Sequence, residues 1–504
     1  MTNRKLFIGI DVGTQGARVE LLDDAGARLA TSAQRFELTV ESREQQDPEI
    51  WWAAVLNGLR SVLQESEKQR VLTPITALAV TSTSGTVIPI DVNHTPLHPA
   101  IMYSDPRSAA QGRRIRAVAR EFHPKGYNGF NASSGLSKMI WYMETFPEMR
   151  PKIAHWIHAT DYINGKLSGV WNITDETNAL KSGYDPAAGL WPDYLFSTLA
   201  LQPDWLPEVV PSGTVIGSLL PEVAVQIGLP TEPSSSIAVA AGMTDGCAAQ
   251  VASGAVRPGD WNATIGTTLV IKGVTRQQIV DPEDRLYNHH HPEGYWMPGG
   301  ASNTGADWIT TDFPGPLAEI EAAAAGLVPT TMMVYPLRQS GERFPFLASG
   351  ARGFSFPSLM AEAYTVNADA DQKDRSALYF AAGMEGVAYL EKMAFTMIEK
   401  LSGEPVDRIY AAGGGSNNAL WLQIRSSVLQ LPVCKMENVT GAVGAAILAA
   451  SKTHFMNLTA AAAAMTRPEK IFEPNPDWIK SYEKGYRKFV AIMEEKSYIQ
   501  SGIY

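Results

Sequence analysis

One pattern, met twice, constrains this chain more than anything else in it. LFIGID (6–11) is rich in β-formers, turns at VGTQG (12–16) and returns as ARVELLDDAG (17–26), a strand, a tight glycine turn and a second strand. About 250 residues later GDWNATIGTTLVIKG (259–273) repeats strand, Gly-Thr turn and strand. Each hairpin leads on to helices and further strands. DPEIWWAAVLNGLRSVLQES (47–66) has apolar residues at helical spacing behind an Asp-Pro start, and ITALAVTSTSGTVIPID (75–91) returns to strand with a Ser-Gly-Thr turn in its middle. In the second half, SALYFAAGMEGVAYLEKMAFTMIEKL (376–401) reads as a long helix, VDRIYAAGGG (406–415) as a strand entering three glycines, and NNALWLQIRSSVLQL (417–431) as a helix. The order predicts an α/β protein of two similarly folded lobes, 1–246 and 247–504, although the letters of the two copies do not align closely.

Composition removes several classes. The 504 residues suffice for two to four domains, and 45% hydrophobic with 19% charged residues is ordinary for a folded chain. Lys+Arg number 42 against 52 Asp+Glu, a net charge of −10, which leaves no general excess of cations for nucleic-acid phosphates. A nucleotide is not excluded, since a few backbone N–H groups and a metal ion bind phosphate locally. Two cysteines, Cys247 and Cys434, are too few for a disulfide framework or a cysteine-rich zinc site. The N-terminal apolar run is too short for a signal-peptide core, and no apolar stretch is long enough to span a bilayer. These features predict a soluble, cytoplasmic protein without membrane or nucleic-acid partners. The alanine-rich runs 321–327 and 459–466 read as helix formers without chemistry, and 477–496 as an amphipathic helix packing back on one lobe.

The chemistry concentrates at the turns. Asp11 ends a buried strand, where a carboxylate is costly unless it meets a cation or donors. Gly13 and Gly16 flank Thr14 and Gln15, so the tip turns tightly and brings backbone N–H groups close to an anion. Alone, this is as readily a plain hairpin with a surface aspartate. A second tip, Gly266, Thr267 and Thr268, offers a second grip on a polyphosphate. Gly413, Gly414 and Gly415 before a helix let a flat ligand lie on bare backbone, with Asn418 to hydrogen-bond it and Trp421 to stack on it. The same glycines also suit a sharp strand-to-helix turn. G-x-x-x-x-G-K-[ST] is absent, as is G-x-G-x-x-G after the first strand, so neither a P-loop nor a dinucleotide fingerprint is supported. GGASNTG (299–305) only approaches a nucleophile elbow at Ser302, and no H-E-x-x-H occurs. His289, His290 and His291 on a strand alternate faces, which argues against a shared metal.

These residues, taken together, resemble the FGGY family of carbohydrate kinases. The matching stretches are IDVGTQGAR (10–18), TSTSGTVIPID (81–91), YSDPR (103–107), AAGMTDGCAAQVASGAVRPGDWNATIGTT (240–268), GGASNTG, SGERFPF (340–346), AAGGGSNNALW (411–421) and GAVGAAILAA (441–450), in the family's order along nearly the whole chain. The resemblance implies two ribonuclease-H-like lobes of the actin/Hsp70/hexokinase type with a cleft between them, and ATP and Mg²⁺ as cofactors. It makes Asp245 the catalytic base that holds the attacking sugar hydroxyl, and sets Asp11 and Asp245 toward the metal. It assigns Gly13, Thr14, Gln15, Arg18, Gly266, Thr267, Thr268, Gly305, Gly413, Gly414, Gly415, Asn418 and Trp421 to ATP. A second use of Asp245, as N-cap of the helix that follows, is compatible with the first.

For the sugar, Thr83 and Ser84 offer hydroxyls at a strand-end turn, and Asp105 and Arg107 lie where the family often has W-x-D-x-R, with Tyr103 in place of the tryptophan. Asp105 and Arg107 also read as a structural ion pair, and both readings stand. TSTSGT, NALKSGYD (178–185) and SGERFPF resemble the pentulose branch, and the missing G-Q-x-H-G run tilts the expectation to D-ribulose over D-xylulose. Other ketoses or polyols remain alternatives, as do a nucleotide-dependent switch without a sugar acceptor and a sugar binder that has lost catalysis. A homodimer is left open.

Overall fold

The computed structural model describes residues 4–68, 74–229, 237–356, 370–500, 502 and 504. The stretch SSIAVAAGMTDGCAAQ (235–250) reads as an apolar strand ending at Asp245, and its first two residues lie outside the described ones. The chain forms two compact units. The first is Met1–Val256 with His289–Tyr295 and Asn438–Arg467; the second is Arg257–Asn288, Trp296–Glu437 and Pro468–Tyr504. The break at Val256 lies beyond the expected 246/247 because the helix Asp245–Ala252 stays with the sheet it follows. Two later segments rejoin the first unit, which no local sequence signal announces.

In the first unit a six-stranded sheet runs in the order Val215–Ser218, Ala238–Thr244, Ile75–Ser82, Leu6–Gly13, Gly16–Asp23, Arg28–Arg35. Ala238–Thr244, Ile75–Ser82 and Leu6–Gly13 are mutually parallel, and the hairpin strands continue the sheet antiparallel. The two-residue turn Thr14–Gln15 closes on the pair Gly13 and Gly16. Glycine is needed at position 16 because a methyl group there would overlap the carbonyl oxygen of Gln34. The helix Pro48–Lys68 buries Trp51, Val55, Leu59 and Val62 at helical spacing in the core with Val19, Leu21 and Ala30.

The 75–91 segment departs from expectation. After Ser82 and a turn at Gly85 (φ +87°), Val87–Ile90 leaves the large sheet for a four-stranded one ordered Gln45–Gln46, Ala100–Ile101, Val87–Ile90, His155–His158. This small sheet has its own core, including Ile115, Leu136, Met139, Trp156 and Trp205.

The second unit repeats the first sheet's winding. Its order is Tyr287–His290, Trp296–Ala301, Leu269–Gly273, Asp260–Ile265, Arg408–Ala412, Val433–Met436, Pro468–Phe472. Asp260–Ile265, Arg408–Ala412 and Val433–Met436 are parallel, and the last strand is antiparallel, as Val215–Ser218 is in the first unit. The predicted repeat is therefore one of strand order and direction.

The long helix spans Ala370–Ser402, and both alanine runs are helical, in Ala318–Ala325 and Leu458–Met465. The C-terminal helix Pro476–Glu495 buries Tyr482, Phe489 and Met493 in the second unit's core. Among the described residues no helix is long and apolar enough to cross a membrane.

Candidate active site

In the first unit the candidate residues follow the carboxyl ends of three neighbouring parallel strands, the edge where open α/β sheets present their ligands. Asp11 pairs in register with Thr81, and Thr81 with Met243, so Asp11 and Asp245 leave the sheet one strand apart. Thr244, with extended backbone, is the N-cap of the helix Asp245–Ala252, and its N–H donates to Thr177 Oγ1 (2.9 Å). Asp245 is thus the first helical residue and not the cap expected as its second use; its exposed carboxylate accepts from Gly246 N (2.7 Å).

Burial, the nearby Asp245 carboxylate and Glu20 push the Asp11 carboxyl up to about 7, against the opposing pull of Arg18, its cross-strand neighbour. The helix Gly441–Thr453 starts beside Asp11, capped by Thr440 Oγ1 accepting from Val443 N (3.1 Å). A methyl group on Gly441 would stand 2.5 Å from Asp11 Oδ2, so glycine here gives the carboxylate its space. Gly441 opens the stretch GAVGAAILAA, where no local signal marks its role.

The first tip is held from behind. Gln46 Nε2 donates to Thr14 O (3.0 Å), Phe36 N to Gln15 O (2.8 Å), and Trp51 Nε1 fixes Gln46 through Oε1 (2.7 Å). Gln15 and Arg18 are exposed and Gly13 and Thr14 half-buried.

A carboxyl raised in the fold favours the folded state at low pH, and that stability is lost as pH rises through its folded pKa. Without divalent cation, thermal stability should therefore fall from pH 5 to pH 8 as Asp11 ionises beside Asp245. Millimolar Mg²⁺ should restore it, and Asp11→Asn should flatten the profile. A scan of melting temperature against pH, with Mg²⁺ or with a chelator, checks this; an unchanged slope in the variant refutes it.

Around the sugar candidates, Thr83 Oγ1 is bonded to Thr86 Oγ1 (2.8 Å), which accepts from Tyr103 N (3.1 Å). Ser84 Oγ is buried without a protein partner, so of the two hydroxyls it is the one left for a ligand. Asp105 is fully buried and clamped by Arg107, with Nε 2.9 Å and Nη2 2.7 Å from Oδ2, while the guanidinium lies 4.4 Å from the Trp141 ring centroid. The structure thus exhibits the ion-pair reading of this couple.

Two buried polar groups nearby escaped the sequence. Lys138, fully buried, is directed at the carbonyls of Ala132 and Tyr103, and burial pushes its ammonium down to about 7. His158 is bonded through Nδ1 to Asp161 (2.8 Å) and Thr174 (2.9 Å), and through Nε2 to Ser182 (2.9 Å).

In the second unit the tip Gly266–Thr268 and the triple glycine follow adjacent parallel strands, with Thr264 in register with Ala412. Gly413 has φ +77°, and a methyl group there would meet Ile265 O at 2.5 Å. Gly415 is a packing residue, its missing methyl replaced by Ile265 and Trp421. Gly414 faces open space, and Gly413 and Gly414 are exposed. Gly305 lies against the tip, where a methyl group would stand 2.6 Å from Thr267 O.

Trp421 does not meet its assignment. It is 1% exposed, its Nε1 donates to Met384 O (3.0 Å), and it belongs to the core cluster, so it cannot stack on a ligand. Asn418 is partly withdrawn as well: Oδ1 caps the helix by accepting from Trp421 N (2.8 Å), and Nδ2 donates to Glu321 Oε1 (2.9 Å). Trp421→Phe should lower the melting temperature yet leave ATP affinity within about twofold, because it removes an interior hydrogen bond and aromatic volume. Calorimetric titration with ATP would contradict the core assignment if affinity fell tenfold.

Comparison with known proteins bears on the whole chain. Residues 6–252 match the N-terminal domain, and residues 261–453 the C-terminal domain, of the FGGY family of carbohydrate kinases. The chain is 24% identical over 503 residues to the xylulose kinase of Staphylococcus epidermidis, covering 98% of this chain and 97% of the relative. It is 25% identical over 525 residues to the gluconokinase of Bacillus subtilis, covering 99% and 98%. A crystal structure titled as a xyloylose kinase from Brucella ovis shares the fold with TM-score 0.83 at 21% identity, over 98% of this chain and 99% of that one. These relatives are named for xylulose and gluconate, so the expected preference for D-ribulose finds no support in them. Both family models together span most of the described fold, and the chain belongs to the FGGY family of carbohydrate kinases, which are phosphotransferases.

Proposed function

We propose that this enzyme transfers the γ-phosphoryl group of ATP to a hydroxyl of a small sugar or sugar acid, with D-xylulose as the best-supported acceptor and D-gluconate the second reading. The observation that carries it is Asp245, an exposed carboxylate on the first turn of a helix at the ligand-presenting edge of a sheet. Asp245 accepts the proton of the sugar hydroxyl as that oxygen bonds to the γ-phosphorus and the bond to the β-phosphate oxygen breaks. Phosphoryl transfer has a loose transition state, so the base chiefly orients the nucleophile and needs no raised pKa. Ser84 Oγ, lacking a protein partner, supports a polyol contact. Thr14, Thr267 and Thr268 are each assigned to phosphate oxygens.

Asp11 and Asp245 fit a magnesium ion. The Asp245 carboxylate helps raise the proton affinity of Asp11, and a divalent cation relieves that repulsion. A magnesium ion retains several waters and takes phosphate oxygens, so two carboxylates from the protein suit it. The ion supplies charge neutralisation on the phosphates. The net charge of −10 fits a site built from glycine backbone, threonines and metal-bearing aspartates.

A coupled ADP-release assay with D-xylulose, D-ribulose, L-ribulose, D-gluconate and glycerol tests the reading. Stimulation by D-xylulose above the others is expected. Stimulation by D-gluconate alone would transfer the assignment to the second reading. Sugar-independent hydrolysis would instead mark a nucleotide switch, and failure of every acceptor would overturn the kinase assignment.

A further inference from the structure

GGASNTG and SGERFPF meet in the second unit at one carboxylate, Glu342. It is 4% exposed and saturated with donors. Oε2 accepts from Ser302 Oγ (2.9 Å), Thr304 Oγ1 (2.9 Å) and Tyr335 O–H (2.8 Å), and Oε1 from Asn303 N (2.6 Å) and Arg343 N (3.0 Å). Five donors fill the roughly four lone-pair directions of a carboxylate, which makes the buried charge tolerable. Burial and the Glu342 charge push the Tyr335 phenol far up, so it stays a donor.

Three of the five donors belong to one loop, Ser302–Thr304, and that loop holds the second phosphate tip. Ser302 N donates to Leu269 O (2.9 Å), and Leu269 N donates to Thr304 O (2.9 Å). Ala306 N donates to Gly266 O (2.8 Å). Leu269 and Gly266 are the two roots of the tip, and Gly305 presses on its crest, where a methyl group would stand 2.6 Å from Thr268 Cα. Thr304 N also closes on Ser302 Oγ (2.9 Å), which ties the loop back on itself. Apolar packing would anchor a loop at lower cost than a buried carboxylate; what the carboxylate adds is directional definition of three successive residues.

We propose that Glu342 is a positioning residue for nucleotide phosphate binding: it fixes the 302–305 loop, and the loop sets where Gly266, Thr267 and Thr268 meet the phosphates. The inference rests on the nucleotide reading of this tip. Glu342→Gln keeps size and one acceptor oxygen but turns an amide N–H₂ toward three hydroxyls that now donate. Ser302→Ala removes one donor and the loop's own closure.

Binding of ATP with Mg²⁺ and of adenosine alone should be measured by competition calorimetry on wild type and both variants, beside their melting temperatures. Glu342→Gln should weaken ATP by about tenfold and Ser302→Ala by about threefold, with adenosine within about twofold in both. Equal weakening of ATP and adenosine would reduce Glu342 to a general structural role and overturn the proposal, as would unchanged ATP affinity. Should Glu342→Gln not fold, Ser302→Ala decides by the same criterion. Wild type that binds no nucleotide, or binds ATP no better than adenosine, would overturn the phosphate reading of the tip, and that failure shows before any variant is made.

Discussion

Asp245→Asn should lower kcat for sugar phosphorylation by about 10³-fold or more while the affinity for ATP stays within about threefold. The amide has the carboxylate's shape and can still accept from Gly246 N, so the first turn of the helix keeps its geometry. What it loses is proton affinity, and with it the ability to take the hydroxyl proton during transfer. The same change removes a negative neighbour of Asp11, whose carboxyl should then return toward the ordinary range. Steady-state kinetics with saturating sugar, paired with ATP titration, check the split. A variant retaining a tenth of wild-type kcat would remove Asp245 from the chemistry.

Gly9→Ala should be among the most destabilising additions of a single methyl group at the glycines of the first unit. Gly9 lies in the strand Leu6–Gly13, and a methyl group there would overlap the carbonyl oxygen of Ala442 and crowd Ala446 N. Those atoms belong to the backbone of the helix Gly441–Thr453, which cannot swing aside as a side chain can. The overlap should cost about 3 kcal/mol or more and lower the melting temperature by about 8 °C. The displaced helix carries Gly441, so Asp11 should lose its setting and activity should fall with stability. Gly315→Ala, where nothing lies within reach of the added methyl group, is the control. Differential scanning fluorimetry on the two variants distinguishes them, and equal melting temperatures would refute the close-approach argument.

What could be read from the letters, and what could not, divides along a physical line. Asp11, the two hairpin tips and the strand that delivers Asp245 were legible because β-rich runs and turn glycines are local signals. The cap expected at Asp245 lies one residue earlier, at Thr244, since extended backbone at 244 rather than side-chain type sets where the helix starts. Trp421 was misread because a tryptophan after glycines suits a ligand face and a core face equally; only the packing of the long helix carrying Met384 decides. Gly441 and Glu342 were quoted within motifs but given no role. The importance of Gly441 arises from a neighbour 430 positions away, at Asp11, and that of Glu342 from donors about 40 positions away. No periodicity encodes such contacts. Asp105 and Arg107, two residues apart, leave two readings open by spacing alone; the fold shows the ion pair as a fork, with Nε 3.0 Å from Oδ1 and Nη2 2.7 Å from Oδ2.

The helix Gly441–Thr453 also bears on how the protein is made. A ribosome releases residues 6–252 long before it reaches residue 441, so the strand Leu6–Gly13 emerges without the helix that covers it. The second unit waits too, for its edge strand Pro468–Phe472 and the helix Pro476–Glu495. Neither unit can complete its core before these late segments have been made, which delays folding relative to synthesis. A cut between the two family segments, at 252–261, would therefore leave the first fragment without the helix Gly441–Thr453, which the second fragment would carry without the sheet it covers.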